Sequence, residues 1–331
     1  MSVTPAFDSA LIERGRSLRL LTTLKAGGRA EAFATCRTRD DLAAAAIYAQ
    51  THGMPTTVLG WGSNILPSDA GVPGFVLLNL AAEIQIASDG SVEVDAGAGF
   101  QDLWLKTAQA NLAGLEFAVG IPGTVGGALV SNAGAYRSNV SEFLTALEIV
   151  RDGRREWVSP AVMEFAYRDS VLRRPDAPQM VVLAARMRLP MGAPMAMYNE
   201  ARDYQRQRIG KQPPSASAGS FFKNVYDQEL ATQLDNLPER LRSAGVVPAG
   251  YLLEQVGLKG RRYGGAMIGA RHANFLLNVA GATATELRRL AEHAIAQVRE
   301  RYHVTLEEEV LYLGDWSGWV STGRLDETRF D

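Results

Sequence analysis

The amino-acid sequence predicts an α+β protein with more than one domain. Its 331 residues exceed the length that one hydrophobic core usually supports, about 250–300 residues. Segments with strand alternation and segments with helical spacing follow one another, and turns that contain Gly or Pro separate them. The character of the chain changes between residues 190 and 219, where a polar helical segment leads into a Pro/Ser turn.

This change predicts where the domains divide. We expect a first domain at residues 1–205, made of two subdomains at about 1–66 and 67–205, and a second domain at 206–310. A tail, residues 311–331, is expected to pack back on the first subdomain. No linker composition marks the border between the two subdomains.

Composition and charge argue against several functional classes. The formal net charge of −2 gives no long-range attraction for nucleic acid or a membrane, so we expect neither as a partner. The chain has no apolar run of about 18 residues and no signal-peptide pattern, which favours the cytoplasm. The single cysteine, Cys36, is predicted to be a core residue, and the four histidines lack metal-ligand spacing, so no metal is expected.

The first elements predict a βαβ arrangement. Residues Ala32–Cys36 read as a strand, and Thr38 stands three residues before Asp41, a pairing that is typical of a helix start. This helix is predicted to run to about Thr51. A second strand, Thr56–Leu59, follows a Gly/Pro stop.

Later segments add further strands and helices. The alternation in Ser91–Asp95 predicts a strand, and Phe100–Asn111 has helical spacing. Thr283 with Glu286 predicts the start of a long amphipathic helix. That helix leads into Val304–Leu313, which alternates like a strand.

The segment Gly120–Tyr136, with five glycines at irregular spacing, is predicted to be a binding loop rather than a helix or strand. Glycine lets ligand atoms approach the main chain, so successive N–H groups could converge on a pyrophosphate. An ordinary glycine-rich surface loop is the alternative, and Pro122 and the clustering of the glycines argue against it.

Two further glycine turns follow predicted strands, at Gly60-x-Gly62 and at residues 96–99. The segment that begins at Gly60 does not match the Rossmann pattern G-x-G-x-x-G, because Ile65 stands at the position of the third glycine. The sequence also contains no P-loop pattern. Three glycine turns at strand ends instead indicate one long dinucleotide held by several loops. FAD has the length to need them.

Several polar residues are candidates for chemistry. Ser220 follows a glycine and precedes two aromatic residues, so its hydroxyl could lie in a dry pocket, although these residues alone favour a simple turn serine. Glu307 and Glu309 share a face of the predicted strand, where desolvation and like charge would raise a carboxyl pKa. A solvated edge strand is the alternative.

Arg168 stands between Tyr167 and Asp169, so its guanidinium could offer a planar fork to a substrate carboxylate. A structural salt bridge would explain it equally well. Lys211 and Arg208 precede the boundary turn and could meet phosphates, although most such pairs are only solvated.

Together these segments resemble the UDP-N-acetylenolpyruvoylglucosamine reductase family, over residues 19 to 315 and in the family's order. The resemblance implies a PCMH/vanillyl-alcohol-oxidase-type FAD fold of two subdomains, followed by a C-terminal α+β substrate domain. The matching segments are TTLKAGGRA, LGWGSNIL, AGAG, GLEFAVGIPGTVGGALVSNAGAY, FAYRDS, RIGKQP, AGSFFKN, LLEQVGLKG, RHANFLLN and LEEEV.

The resemblance also implies roles for individual residues. Ser220 resembles the family's proton donor, Glu309 its essential carboxylate, and Arg168 the partner of the substrate carboxylate. The implied FAD contacts are Gly60, Gly62, Ser63, Asn64, Gly120, Pro122, Gly123, Thr124, Gly126, Gly127, Ala128, Asn132, Gly134 and Ala135. The implied contacts to substrate or NADPH are Tyr167, Lys211, Lys223, Asn224 and His272.

The implied reaction is the reduction of UDP-N-acetylglucosamine enolpyruvate to UDP-N-acetylmuramate, with NADPH as the reductant and a monomeric enzyme. About forty residues separate FAYRDS from RIGKQP, so the chain resembles the form that lacks the family's tyrosine-loop insertion. Val225 also stands where the family often has proline. Another FAD-dependent oxidoreductase and an inactive flavin-binding module stay open as alternatives. The pair Ser220 and Glu309 argues against the first, and the presence of all three reactive positions, these two and Arg168, argues against the second.

Overall fold

The computed structural model describes residues 4–210, 212–322 and Leu325, and the chain forms two compact units. The segments of the first unit are Met1–Arg16, Ala30–Gly62 and Pro73–Gly210. Those of the second are Ser17–Arg29, Ser63–Val72 and Lys211–Asp331. The division differs from a continuous first domain at residues 1–205, because two early segments join the C-terminal part of the chain.

The first unit contains two larger sheets with helices beside them, and a two-stranded sheet of Gly134–Ala135 with Ser138–Asn139. The strands of one sheet are, in spatial order, Glu13–Ser17, Arg29–Cys36, Val72–Asn79 and Thr56–Leu59. Those of the other are Arg154–Val158, Leu144–Arg151, Met180–Arg188, Ser91–Asp95 and Ile84–Ile86. The α-helices are Arg39–Thr51, Phe100–Gln109, Val125–Val130 and Pro194–Ile209.

The first helix is confirmed with the predicted start. Thr38 accepts a hydrogen bond from the Asp41 backbone, and the Asp41 side chain accepts one from the Thr38 backbone, which completes a capping box. A run of alanines on this helix is fully buried beside Phe75 and Leu77, because small side chains let the helix approach the sheet closely. Cys36 belongs to the same core, and burial raises the pKa of its thiol to about 12, with a smaller contribution from Asp41.

The predicted strands Thr56–Leu59 and Ser91–Asp95 are confirmed at both ends. The helix predicted at Phe100–Asn111 ends two residues early, at Gln109. Asn111 has a φ of 60°, and this left-handed conformation ends the helix.

An ion-pair network, here the side chains of Arg39, Glu93, Asp95, Glu148 and Arg155, joins the first helix to the second sheet. Arg39 donates to Asp95 and Glu93 at 2.6 Å each and lies 3.3 Å from Glu148. Arg155 bonds the other oxygen of Glu148 at 2.8 Å. The side chains of Asp95 and Glu148 are only 5% and 8% exposed, so these carboxylates depend on the two arginines for compensation.

The second unit is built around one long helix, Ala284–Tyr302. Thr283 and Glu286 form the predicted capping box, and the apolar face predicted for this helix is buried. The other α-helices of this unit are Gln228–Gln233, Glu239–Ser243 and Ala249–Gln255. Its strands are Ile65–Pro67, Ala216–Ser217, Val225–Tyr226, Val246–Val247, Arg262–Tyr263, Ala266–Ile268, Leu276–Asn278 and Leu311–Leu313.

The strand predicted at Val304–Leu313 is wrong in extent, since only Leu311–Leu313 forms a strand. It pairs in parallel with Ile65–Pro67. The preceding residues instead make an isolated bridge between Glu308 and Phe222. The early segment thus supplies both a strand and the core residue Leu66 to the second unit.

No helix within the described ranges has both the length and the apolar character to cross a bilayer. The same ranges contain no cluster of three or more His, Cys, Asp or Glu side chains with the arrangement of a metal site.

Candidate active site

The three glycine turns of the first unit meet at Thr124. The Cα of Gly60 lies so close to Thr124 that an added Cβ would stand 2.5 Å from its Oγ1. Gly99 forms an isolated bridge with Thr124, and Trp61 packs against Gly99. The sequence therefore correctly predicted that these turns come together, and glycine is required at Gly60 because a Cβ there would meet the Thr124 side chain.

The predicted amide cradle is wrong for residues 125–128. A short helix, Val125–Val130, lies inside the segment that was expected to have no regular structure, and Thr124 caps it. The N–H groups of Val125 and Gly126 donate to Ala98 and Ala96, while those of Gly127 and Ala128 donate to Thr124. These four donors fix the loop rather than a ligand. The amides of Gly120, Gly123 and Thr124 are the ones that could still meet an anion.

We expect Gly60→Ala to reduce the flavin content of the purified protein. The new Cβ would meet Thr124, whose β-branched side chain is held by its bond to Gly127 and cannot turn away freely. Such overpacking costs about 1–3 kcal/mol, which corresponds to roughly 5- to 150-fold in affinity if the turns hold the cofactor. The ratio of flavin absorbance to protein absorbance measures this. Gly318→Ala is the matched control, because a Cβ there meets nothing within 4 Å; equal loss in both variants would contradict the prediction.

A tight turn presents Tyr167 and Arg168. Ala166 and Asp169 exchange backbone hydrogen bonds across it, and Arg168 has a φ of 53°. Its guanidinium lies 6.0 Å from the Tyr167 ring centroid. A non-glycine residue at positive φ is uncommon and is found disproportionately at functional sites.

Two side chains anchor this turn to the glycine-rich segment. Asn132 Nδ2 donates to the Ala166 carbonyl at 2.9 Å, and Ser170 Oγ donates to Val130 at 2.6 Å. Asn132 Oδ1 is buried and accepts no hydrogen bond from the described residues. A buried acceptor without a donor is costly, so Asn132 fits contact with a donor group of a bound cofactor or substrate.

The remaining predicted FAD contacts of the first unit lie in the same region. Gly134–Ala135 pairs with Ser138–Asn139 in a short hairpin, and its tip presents Tyr136. Gly62, Gly120 and Gly123 adopt positive φ, Ala128 is buried in the short helix, and Pro122 lies between the two glycines of the loop. This region combines glycine turns, the buried acceptor Asn132 Oδ1 and two exposed aromatic rings, Trp61 and Tyr136. Such a combination suits a long, flat dinucleotide such as FAD.

In the second unit, the segments that carry Ser220 and Glu309 are bonded to each other. Glu309 N–H donates to the Phe221 carbonyl at 2.8 Å, and Lys223 N–H donates to Glu307 at 2.9 Å. Both Ser220 and Glu309 are half-buried. The structure therefore places the two predicted catalytic residues on paired segments. Glu309 pairs with Phe221, which is the residue directly after Ser220.

Asn274 holds the Ser220 segment in place, and the sequence analysis missed it. Its side chain accepts from Phe222 N–H and donates to the Phe222 carbonyl, both at 2.9 Å, while its own carbonyl accepts from Phe221 N–H at 2.7 Å. Asn274 is 4% exposed. An asparagine inside an apolar run, as in ANFLL, was the available signal, because a buried amide needs partners.

Asn64 has a role in the second unit that differs from a cofactor contact. Its Nδ2 donates to the Glu309 carbonyl at 3.1 Å, and its carbonyl accepts from Leu311 N–H at 3.0 Å. Ser63 precedes it in the same unit. The structure thus uses Asn64 to hold Glu309, and its contact with FAD stays a prediction.

The predicted substrate residues of the second unit have differing surroundings. Lys223 Nζ lies 3.1 Å from Glu307, so a lysine offsets the like charge that was expected beside Glu309. Asn224 is exposed and accepts from Ala249 N–H at 3.3 Å. His272 Nδ1 accepts from Asn274 N–H at 3.2 Å, which leaves Nε2 as the protonated nitrogen of a neutral ring. Lys211 lies outside the described residues.

Comparison with family models matches the two parts of the chain separately. Residues 30–159 match the FAD binding domain, and residues 211–313 match the C-terminal domain of UDP-N-acetylenolpyruvoylglucosamine reductase. The first match includes all three glycine turns. These matches confirm the predicted fold class, an FAD-binding fold followed by a C-terminal α+β domain.

Curated relatives and a solved structure match over most of the chain. A UDP-N-acetylenolpyruvoylglucosamine reductase of Synechococcus is 37% identical over 93% of this chain and 93% of its own, and one of Rubrobacter xylanophilus is 38% identical over 90% and 94%. The crystal structure of the reductase from Thermus caldophilus has a TM-score of 0.72 and 32% identity, and the match covers 91% of this chain and 98% of that one.

Proposed function

The chain belongs to the UDP-N-acetylenolpyruvoylglucosamine reductase family, an FAD-dependent oxidoreductase family, and from this premise we propose its reaction. It uses NADPH to reduce UDP-N-acetylglucosamine enolpyruvate to UDP-N-acetylmuramate, a step in the synthesis of peptidoglycan precursors. A cytoplasmic location and a monomeric state stay predictions.

The residues proposed to hold FAD are those where the three glycine turns meet, together with Asn132 and the hairpin after it. When bound there, FAD supplies the hydride chemistry that the side chains of the protein lack. The protein contributes binding, orientation and the groups that stabilise charge on the substrate.

Arg168 is proposed to bind the carboxylate of the enolpyruvyl group. Reduction of the double bond places negative charge on the carbon next to that carboxylate, and a guanidinium fork stabilises the charge as it spreads onto the oxygens. The tight turn fixes the direction of Arg168, because Asn132 and Ser170 tie that turn to the glycine-rich segment. Such preorganisation is what electrostatic catalysis requires.

Ser220 is proposed to donate the proton that the α-carbon of the substrate receives. A serine hydroxyl is a weak acid in water, but a basic carbanion-like centre held next to it needs only proximity and exclusion of solvent. Glu309 is proposed to act in its protonated form and to donate a hydrogen bond to the charged carboxylate of the substrate. The observation that carries the proposal is the pairing of the two segments, in which Glu309 N–H donates to Phe221 next to Ser220.

Turnover tests the proposal. We expect the purified protein to oxidise NADPH beyond one equivalent of its flavin only when UDP-N-acetylglucosamine enolpyruvate is supplied, with one UDP-N-acetylmuramate formed per NADPH consumed in turnover. Simple alcohols and UDP-N-acetylglucosamine, which lacks the enolpyruvyl group, are the matched controls. Equal oxidation of an alcohol would favour the alternative of a different FAD-dependent oxidoreductase, and no reaction with the enolpyruvyl substrate would refute the proposal.

A further inference from the structure

Arg208, in the last turn of the helix Pro194–Ile209, is a half-buried guanidinium without a carboxylate partner among the described residues. Its stem packs on Gly120 so closely that a Cβ there would lie 3.0 Å from the Arg208 Cδ. Nη2 donates to the Phe117 carbonyl at the long distance of 3.4 Å, and Nε is buried without an acceptor in the described ranges. Tyr136 makes a further side-chain hydrogen bond with Arg208, so Nε is the buried donor that lacks an acceptor among the described residues.

Other poorly exposed arginines of the same unit are compensated differently. Arg39 and Arg155, whose side chains are 17% and 15% exposed, bond three and two carboxylates respectively. A buried cation without a counter-charge costs several kcal/mol in general, so such a residue is not expected without a use. The two acidic residues on the helix of Arg208 have other partners, since Glu200 accepts the hydroxyl hydrogen of Tyr204 and Asp203 lies 3.8 Å from Arg206.

Two stacked tyrosines fix the surroundings of Arg208. The rings of Tyr136 and Tyr204 lie 3.6 Å apart and within 6° of parallel, and the Arg208 Cζ lies 5.8 Å from the Tyr136 centroid. Tyr136 has a φ of 54° at the tip of its hairpin, so the backbone is constrained in order to present this ring. The ring supports the guanidinium but supplies no full negative charge.

Arg168 is the second cation in this region. The turn that carries Arg168 is bonded to Asn132, four residues before Tyr136, whose ring lies beside Arg208. In keeping with this arrangement, burial lowers the pKa of Arg208 most, and the positive charge of Arg168 lowers it further. One planar carboxylate could satisfy both guanidinium groups and remove their mutual repulsion, because each fork matches carboxylate geometry.

We propose that Arg208 is a second substrate-binding arginine, which contacts the carboxylate of the enolpyruvyl group together with Arg168. This inference rests on the proposed function and adds a specificity-determining residue to it. It differs from a purely structural role, in which Arg208 would only support the loop at Gly120.

Two ligands that differ mainly in the carboxylate test this inference. UDP-N-acetylmuramate carries the carboxylate, whereas UDP-N-acetylglucosamine has the same diphosphate and lacks it. Binding of each to the flavin-loaded protein is measured by calorimetry for the unaltered chain, Arg208→Met, Arg208→Lys and the control Arg206→Met. Arg206 is two residues away, and its side chain is 70% exposed.

We expect Arg208→Met to bind UDP-N-acetylmuramate about 30-fold more weakly or worse, since truncating one partner of a buried charge pair has effects of this size. Arg208→Lys should lose less, because it keeps the charge but not the fork. Binding of UDP-N-acetylglucosamine should not change in either variant, and Arg206→Met should change neither ligand.

If Arg208→Met weakens the binding of both ligands equally, the inference is overturned, since Arg208 would then act at the diphosphate or at the loop. The inference is also overturned if the variant binds both ligands as tightly as the unaltered chain does. If Arg208→Met fails to retain flavin, the same comparison in Arg208→Lys decides. If the unaltered protein binds neither ligand, the proposed function fails instead, and the two failures are thereby distinguished.

Discussion

Ser220→Ala should retain bound flavin and lose product formation by about 100- to 10,000-fold, the usual contribution of a positioned acid or base. The hydroxyl is the group proposed to protonate the α-carbon, and its removal leaves the backbone bonds of the segment in place. Asn274 holds that segment through Phe221 and Phe222, so the fold should tolerate the change. Formation of UDP-N-acetylmuramate under saturating substrate measures the effect.

The control for this variant is Ser217→Ala, the same chemical change three residues earlier in the strand Ala216–Ser217. Its activity should stay close to that of the unaltered chain. Reduction of the bound flavin by NADPH should also persist in Ser220→Ala, because that half of the reaction needs no proton at the α-carbon. Full product formation in Ser220→Ala would show that the acid is misassigned.

Arg39→Met should lower the free energy of unfolding by about 3–5 kcal/mol, the usual cost of breaking a buried ion pair. The substitution leaves Asp95 and Glu148 almost fully buried without this cation, and Arg155 compensates only one of them. Urea denaturation measures the change. Arg188→Met is the matched control, because Arg188 and its partner Asp89 are 56% and 58% exposed and such surface pairs contribute about 0–1 kcal/mol.

The stability effect of Arg39 should also depend on pH. Burial alone would raise the pKa of Glu93, but hydrogen bonds from Arg39 and Arg186 outweigh it and lower the pKa. Because the pKa of Glu93 is lower in the folded protein than in the unfolded chain, its ionised carboxylate stabilises the fold at pH values above the unfolded-state pKa. This stabilisation is lost as the pH falls through the folded-state pKa. The difference in free energy of unfolding between the unaltered chain and Arg39→Met should therefore become smaller at acidic pH. A difference that stays constant down to low pH would contradict the ionic explanation.

Local sequence signals predicted the elements whose stability is local. The capping boxes at Thr38 and Thr283 identified helix starts, because the pattern needs only residues three positions apart. The meeting of the glycine turns was predicted from their glycines and not from the sheets, since Thr56–Leu59 and Ser91–Asp95 belong to different sheets and the third turn follows a 3-10 helix. The resemblance to the family, carried by ten short segments, is confirmed.

Features that depend on distant residues could not be read from the sequence. The backbone N–H groups of Val125 and Gly126 bond to carbonyls at Ala98 and Ala96, and no local pattern indicates this. The predicted strand at Val304–Leu313 shortened because its edge partner is only the three-residue strand Ile65–Pro67. Asn64 and Asn274 act by bonding backbone far away along the chain.

The pairing of Ile65–Pro67 with Leu311–Leu313 has a consequence for biosynthesis. Asn64 and Glu309, which flank it, are 245 positions apart, so the early strand leaves the ribosome long before its partner has been translated. Leu24, Ala26 and Leu66 would then stay exposed until the last part of the polypeptide emerges. Apolar side chains that stay exposed during synthesis favour aggregation, and a fragment that begins at residue 211 would lack part of its own interior.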